Sequence, residues 1–254
     1  MKSSFDKIAY RICDCHVHFG QFQNDYYSSK EVVDWIEQLG INKVGIMPTG
    51  ICGADEFDES KKIIKAISSE QIKPYLWLSP EMYDADPTMD AYNDINYKVI
   101  KIHPYIRREW YWHPEKIRGI IEVAYSKDVP VMFHTGGWKG ACAIQFYRFC
   151  REYPDVTFIL AHGRPLSQSI TVLKGTKNAF VDSSFMDYED IKIFCENGLQ
   201  SRILFGTDFP IMKTFWPSIS LIDWYKENIN RQIDLFGEKQ FMVWSYENFH
   251  KLIM

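Results

Sequence analysis

Short apolar runs recur along the chain, and a stretch of different rhythm follows most of them. The runs begin at Arg11 (RICDCHVH), Lys43 (KVGIMP), Pro74 (PYLWLS), Val99 (VIKIHP), Val131 (VMFHTG), Thr157 (TFILAHG), Ala179 (AFVDSS) and Arg202 (RILFGTD). Between them, KEVVDWIEQLG, KKIIKAISSE, EKIRGIIEVAYSK, AIQFYRFCREY, LSQSITVL and YEDIKIFCEN carry apolar residues three and four apart. That spacing gives a helix one apolar face. The link around TMDAYND is short and weakly patterned. Ser29 and Asp187 stand where helix N-caps are expected, and Gly40 and Gly198 follow helices where a left-handed stop suits glycine. Successive strand starts lie 22 to 32 residues apart, the stride of a parallel strand–helix unit.

Repetition of this unit predicts an α/β fold, a (β/α)8 TIM barrel with an eight-stranded parallel barrel, as one domain over residues 1–254. The stretch from Ser218 to Met254 supplies the eighth helix and a C-terminal helical tail. A doubly wound open sheet is the structural rival, but it would not gather polar residues at so many strand ends.

Composition narrows the class. An apolar share of 46% with 24% charged residues excludes a disordered chain and a small disulfide scaffold. The six cysteines (Cys13, Cys15, Cys52, Cys142, Cys150 and Cys195) form no CxxC pair. The opening MKSSFDKIAYRICD lacks the apolar run of a signal peptide, so the thiols read as reduced and the protein as cytoplasmic. No stretch is apolar for long enough to predict a membrane span. Lysine and arginine number 29 against 33 acidic residues, with no basic block, which argues against nucleic-acid or anionic-membrane partners. Eight tryptophans and fifteen tyrosines point to an aromatic-lined pocket for a small molecule.

Catalytic groups of a barrel sit where strands run into the following loops. The first run ends in His16-Val17-His18, the fourth in Lys101-Ile102-His103, the fifth at His134, the sixth at His162 and the eighth at Asp208. Side chains alternate across a strand, so His16 and His18 point the same way. On that parity Cys13, Cys15 and Val17 face the helices. His134 turns inward between a helix-facing Phe133 and the loop, and Lys101 and His103 both point inward. Leu204, Gly206 and Asp208 share the inner face, with Gly206 leaving open space beneath Asp208. Neutral imidazoles and a carboxylate are good ligands for zinc and similar ions. Two histidines at i and i+2 grip one ion together, and a histidine and an aspartate from other strands complete a site with a position left for water. HxH alone is a weak motif; HxH followed by His, His and Asp on four strands in that order is a strong one. His113 and His250 fall outside the pattern and read as ordinary surface or helix residues.

At these residues the sequence resembles the amidohydrolase superfamily of metal-dependent barrels. More narrowly it is similar to the branch containing aminocarboxymuconate-semialdehyde decarboxylase, γ-resorcylate decarboxylase and pyrone-dicarboxylate lactonase. DCHVHFG, KIHP, FHTG, AHGRP and LFGTDFP resemble the branch's successive blocks. SYENFHKLI resembles its closing helix, with His250 where a small residue is common. The resemblance implies His16, His18, His134 and Asp208 as metal ligands. It implies His162 as the residue that orients water or polarises substrate, and in two-metal relatives as a ligand. Zinc is the first expectation, manganese the second. One ion is favoured; two would require a carboxylated Lys101 bridging them. Barrels of this branch often pair with themselves, and exposed tryptophans fit a homodimer.

The loops set the substrate. PYIRREWYWHP packs Arg107, Arg108 and several aromatics together, Trp138 follows the fifth run, and Arg164 stands two residues beyond His162. Arginine forks bind carboxylates and aromatic faces pack planar groups. With Lys101 and His103 they predict a pocket for a small, carboxylate-bearing substrate. The plainer alternative leaves Arg107 and Arg108 in solvent and packs the aromatics on a neighbouring loop or subunit. Three functions are weighed. The leading one is a metal-dependent hydrolase in which Asp208 is acid/base and His162 assists. The second is a non-oxidative, metal-dependent decarboxylase (a lyase) of an aromatic or unsaturated acid. The third is a barrel that binds a ligand without turnover.

Overall fold

The computed structural model describes residues 3–49 and 70–254. Cys52 and the helix expected from Lys61 lie outside the described residues. A strand forms at each expected run: β1 (Cys13–Phe22), β3 (Lys43–Pro48), β4 (Ile72–Leu78), β5 (Val99–Ile102), β6 (Val131–His134), β7 (Phe158–Ala161), β8 (Ala179–Asp182) and β9 (Ile203–Leu204). The extra strand β2 (Asp25–Tyr27) folds back antiparallel on the end of β1, pairing Phe22 with Asp25 and Gly20 with Tyr27. The chain leaving β1 therefore forms a hairpin at the mouth of the fold.

The sheet runs β2-β1-β3-β4-β5-β6-β7-β8-β9, and every pairing except β1–β2 is parallel. The expected closed ring is only partly realised. No ladder joins β9 to β1. Instead the chain leaving β9 crosses to β1 through one isolated parallel bridge, Val17 to Phe209. Three backbone bonds accompany it: Cys15 N–H to Phe205 O at 2.9 Å, Asp208 N–H to His16 O at 2.8 Å, and His18 N–H to Phe209 O at 2.7 Å. Irregular backbone on both sides explains the missing ladder. The β1–β3 register slips between Asp14 and Val17, and Asp208 takes a left-handed φ of +60°.

That slip also overturns one expected orientation. Cys13 and Cys15 do not face the helices. They pack inside the curled sheet with Met47, Tyr75, Val99, Met132 and Leu204. The bulge turns Cys15 and His16 inward in succession, so His16 and His18 still share the interior while Val17 and Phe19 join the outer core. Elsewhere alternation holds: Met132 lies in the inner cluster, Val131 and Phe133 in the outer one. Gly206 does not leave open space. A Cβ there would stand 3.0 Å from His16 Cβ and 3.2 Å from Cys15 Sγ, so its lack of a side chain makes room for them.

Helices Ser29–Leu39, Pro114–Ser126, Tyr147–Glu152, Leu166–Gly175 and Tyr188–Glu196 follow the apolar periodicity. The first is capped one residue earlier than expected. Ser28 Oγ accepts from Glu31 N–H at 3.2 Å, and Glu31 Oε2 accepts from Ser28 N–H at 3.0 Å, a reciprocal capping box. It stops at Gly40, whose φ of +63° is strained for any residue with a side chain. The weak TMDAYND link is a 3-10 turn over Asp90–Ile95, preceded by a short helix Pro80–Ala85. Past Ser218 the chain forms helices Leu221–Phe236, Glu238–Met242 and Asn248–Ile253, and Phe249 and Ile253 join the inner cluster. Among the described residues no helix is long and apolar enough to cross a membrane.

Candidate metal centre

Three side chains converge where β1 meets the segment after β9. His16 Nε2 and His18 Nε2 stand 3.0 Å apart, and Asp208 Oδ1 lies 3.1 Å from the first and 2.9 Å from the second. All three residues are buried. Their protonation follows from their other partners. His18 Nδ1 is 3.0 Å from Pro48 O, a carbonyl that only accepts, so the proton sits on Nδ1 and Nε2 is bare. His16 Nδ1 lies 2.9 Å from Asp182 Oδ2 at the end of β8 and donates to it. Burial, then the nearby Lys101 charge, lowers the His16 pKa and keeps its ring neutral, so its Nε2 is bare as well.

The triad therefore aims three lone pairs at one point. Asp208 Oδ1 is buried with no hydrogen-bond donor. Ligand atoms about 2.0–2.1 Å from a shared zinc ion stand roughly 2.9–3.4 Å apart, for angles between octahedral and tetrahedral. The observed edges fall in that span, so the donor set fits a divalent ion. Lys101 Nζ, fully buried, lies 3.4 Å from His16 Nε2, and burial brings its pKa down to about 8.

A second layer holds the first. Asp182 Oδ1 accepts from His162 N–H at 3.2 Å and Ser184 N–H at 3.0 Å, and it also contacts Ser184 Oγ. Burial would raise this carboxyl, but His16 and then His162 and Lys101 drive it far below its ordinary value. Asp14 links the two chain segments that carry the triad. Its Oδ1 accepts from His16 N–H at 3.0 Å and Thr207 N–H at 3.2 Å. Its Oδ2 accepts from Thr207 Oγ1 at 2.6 Å and Tyr225 Oη at 3.0 Å. Burial pushes the Asp14 carboxyl up to about 7 in spite of these bonds. Neither aspartate was marked in the sequence as a site residue. Alternation along AFVDSS could have found Asp182, which shares the inner face with Phe180.

His162, His16 and Asp182 also lie close enough to be considered as a donor group. Their facing atoms, however, are spent on one another and on Ser184. His162 Nδ1 is 3.1 Å from Ser184 O and 2.8 Å from Ser184 Oγ, and Ser184 Oγ is 3.2 Å from His16 Nδ1. His162 Nε2 faces His134 Nδ1 at 3.1 Å, and burial lowers the His162 pKa to about 4. His134 thus stands outside the tight triad, next to His162, with its ring stacked on His103 at 3.9 Å.

A cavity of about 300 Å³ opens above these groups, with Lys101, His103, His134 and Arg164 in its lining and Phe22, Phe185 and Phe215 as an aromatic wall. Two expected substrate residues do not line it. Arg107 is drawn to Glu81 on helix Pro80–Ala85, with Glu109 Oε2 at 3.8 Å, so nearby acids neutralise it. Trp138 stacks edge-on with Tyr111 at 5.2 Å and carries the Arg108 guanidinium at 5.2 Å. Arg164 does reach the cavity; its guanidinium donates to Phe185 O at 2.6 Å and its N–H to Thr135 Oγ1 at 2.7 Å. His113 pairs with Glu115 at the surface, and His250 Nδ1 contacts Tyr246 O at 2.9 Å. A larger cavity of about 450 Å³ at the opposite end of the strands, by Lys98 and Lys251, contains none of the triad.

The fold is α/β, a curled and mostly parallel sheet that carries this donor set at one rim, and comparison with known proteins gives the family. The family model described as Amidohydrolase matches residues 77–233, more than half of the chain. The protein belongs to the amidohydrolase family. No curated protein matches the sequence. Among solved structures, a probable 2-pyrone-4,6-dicarboxylic acid hydrolase from Acinetobacter baumannii with citric acid bound is 12% identical, with a TM-score of 0.72 over 95% of this chain and 98% of that one. Amidohydrolase 2 from Bifidobacterium longum subsp. infantis is 16% identical, with a TM-score of 0.66 over 94% and 97%. An amidohydrolase from Burkholderia multivorans with bound zinc is 11% identical, with a TM-score of 0.63 over 94% and 97%. Likeness at these identities shows a shared fold.

The layering gives a first prediction. Asp182→Asn keeps the shape but removes the charge that fixes the His16 tautomer. Zinc affinity is expected to fall about 10–100-fold, as for other second-layer carboxylates, read by competition with a fluorescent chelator. Affinity within twofold of wild type would contradict the holding role.

Proposed function

We propose that the protein is a metal-dependent hydrolase of a small, carboxylate-bearing amide, lactone or ester, built on a (β/α)8 barrel and holding one divalent ion, zinc in the first instance and manganese as the alternative. The observation that carries this is the buried triad of His16 Nε2, His18 Nε2 and Asp208 Oδ1, three ligand-type atoms about 3 Å apart. His16, His18 and Asp208 would hold the ion, with His134 or His162 as the further histidine. When bound, it supplies Lewis acidity and brings water's pKa toward about 7.

The chain's own residues divide the remaining work. One oxygen of Asp208 belongs to the triad, and the other takes a proton from the attacking water and returns it to the leaving group. His162, kept neutral by burial with its Nδ1 facing Ser184 O, accepts a hydrogen bond from the attacking water and orients it. Arg164 and Lys101, both in the cavity lining, attract the substrate carboxylate. Lys101 as a buried ammonium 3.4 Å from His16 Nε2 favours one ion over two, and zinc counts with and without bicarbonate distinguish the two stoichiometries.

Zinc-loaded protein assayed against acidic lactones, amides and esters tests the proposal. Turnover with hydrolysed product is the expected result. Release of carbon dioxide from an aromatic acid would replace hydrolysis by decarboxylation. Binding without turnover would leave a ligand-binding barrel. With a substrate in hand, Arg164→Met is expected to raise KM about tenfold or more while zinc content stays at the wild-type level, since one charge-assisted bond to a carboxylate contributes about 1.5–3 kcal/mol. An unchanged KM would remove Arg164 from substrate recognition.

A further inference from the structure

Beside the cavity over the triad lies a second one, and one described residue borders both. The two measure about 300 and 320 Å³, and Phe185 is the one described residue that lines both. Its ring is set among aromatic neighbours on either side. It lies 5.9 Å from Phe215 on the catalytic side, 6.5 Å from Trp216 on the other, and 6.2 Å from His162. Its backbone is unusual and firmly held. Phe185 has a φ of +52°, a conformation that a bulky residue rarely adopts, and its carbonyl accepts the Arg164 guanidinium bond at 2.6 Å. A strained aromatic residue is thus held at the border of two cavities, with its ring among the side chains of both.

The second cavity has the chemistry of a subsite for a flat group. Met186, Tyr188, Trp216 and Trp224 supply apolar and aromatic surface, and Asn228 and Arg231 supply polar groups, the latter lying over the Tyr188 ring at 5.0 Å. It contains none of the triad.

We propose that Phe185 is a specificity-determining partition: it confines the catalytic cavity to compact substrates, and shortening it joins that cavity to a second one able to receive a further planar ring. The proposal rests on the catalytic reading of the first cavity. It predicts that substrate length, rather than the chemistry at the triad, is what Phe185 controls.

The test compares benzoate with biphenyl-4-carboxylate, titrated against tryptophan fluorescence in wild type, Phe185→Ala and Phe185→Gly, with and without zinc. Glycine tolerates the left-handed backbone that alanine retains at a cost, so the second variant guards against misfolding, and thermal melting checks both. Wild type is expected to bind biphenyl-4-carboxylate at least about 10-fold more weakly than benzoate. Both variants are expected to bind it at least about 10-fold more tightly than wild type does, a gain in keeping with burial of one more ring. The ratio of biphenyl-4-carboxylate to benzoate affinity is expected to rise at least about 10-fold in both variants, and Trp224→Ala in the Phe185→Ala background should remove the gain. If wild type binds the longer acid as well as benzoate, or neither variant gains affinity for it, the partition is overturned. Benzoate affinity that ignores zinc would instead count against the metal reading, while the biphenyl comparison still decides the partition.

Discussion

Replacing His18 with alanine is expected to lower zinc affinity by roughly 10²–10³-fold. Zinc sites of four ligands bind with about 10–16 kcal/mol, so each ligand carries roughly 2.5–4 kcal/mol if the share is equal. At about 1.4 kcal/mol per tenfold, that is two to three decades. His18 Nδ1 holds only the Pro48 carbonyl, and the ring lines a cavity, so water can fill the space it leaves without collapse of the core. The same loss appears in stability. At zinc a hundredfold above its wild-type Kd, the ion stabilises the wild-type fold by about 2.7 kcal/mol, and the variant loses most of that increment. Chelator competition and urea unfolding with and without zinc measure the two effects. Wild-type affinity in His18→Ala would mean that the triad does not hold the ion.

Asp208→Asn is expected to lower kcat by about 10³–10⁴-fold at saturating zinc. General-base assistance is ordinarily about 10²–10⁴-fold, and here the same residue also brings the negative charge that balances the cation. The wild-type carboxylate has an oxygen outside the triad that can take up the proton. Asparagine keeps the size and can still offer an oxygen to the ion, but it takes no proton. Zinc content measured alongside kcat separates loss of the ion from loss of the base. A kcat within tenfold of wild type would assign the proton transfer to another residue.

Much of this was legible in the residue pattern. Period-2 runs at a steady stride locate the strands, and alternation correctly turns His134 and Lys101 inward. HxH and a distant aspartate do come together, because parallel strands bring their C-terminal ends to one rim. What alternation could not show was a bulge. The extra residue in β1 sends Cys13 and Cys15 inward with His16, and it leaves β1 joined to the segment after β9 by scattered bonds in place of a ladder. Pairing between residues far apart in the chain was equally hidden. Asp182 finds His16 across 166 positions and Asp14 finds Thr207 across 193, while Glu81 captures Arg107 across 26 and takes it out of the substrate set. Such partners depend on which loops become neighbours, which hydrophobic periodicity does not encode.

The central claim is that two imidazole nitrogens and one carboxylate oxygen, drawn from opposite ends of the chain, hold a divalent ion. Anomalous X-ray scattering at the zinc absorption edge, from crystals grown with zinc, tests it most directly. The account predicts one strong peak within bonding distance of His16 Nε2, His18 Nε2 and Asp208 Oδ1. A crystal with no peak there, or with zinc bound only elsewhere on the protein, would contradict it.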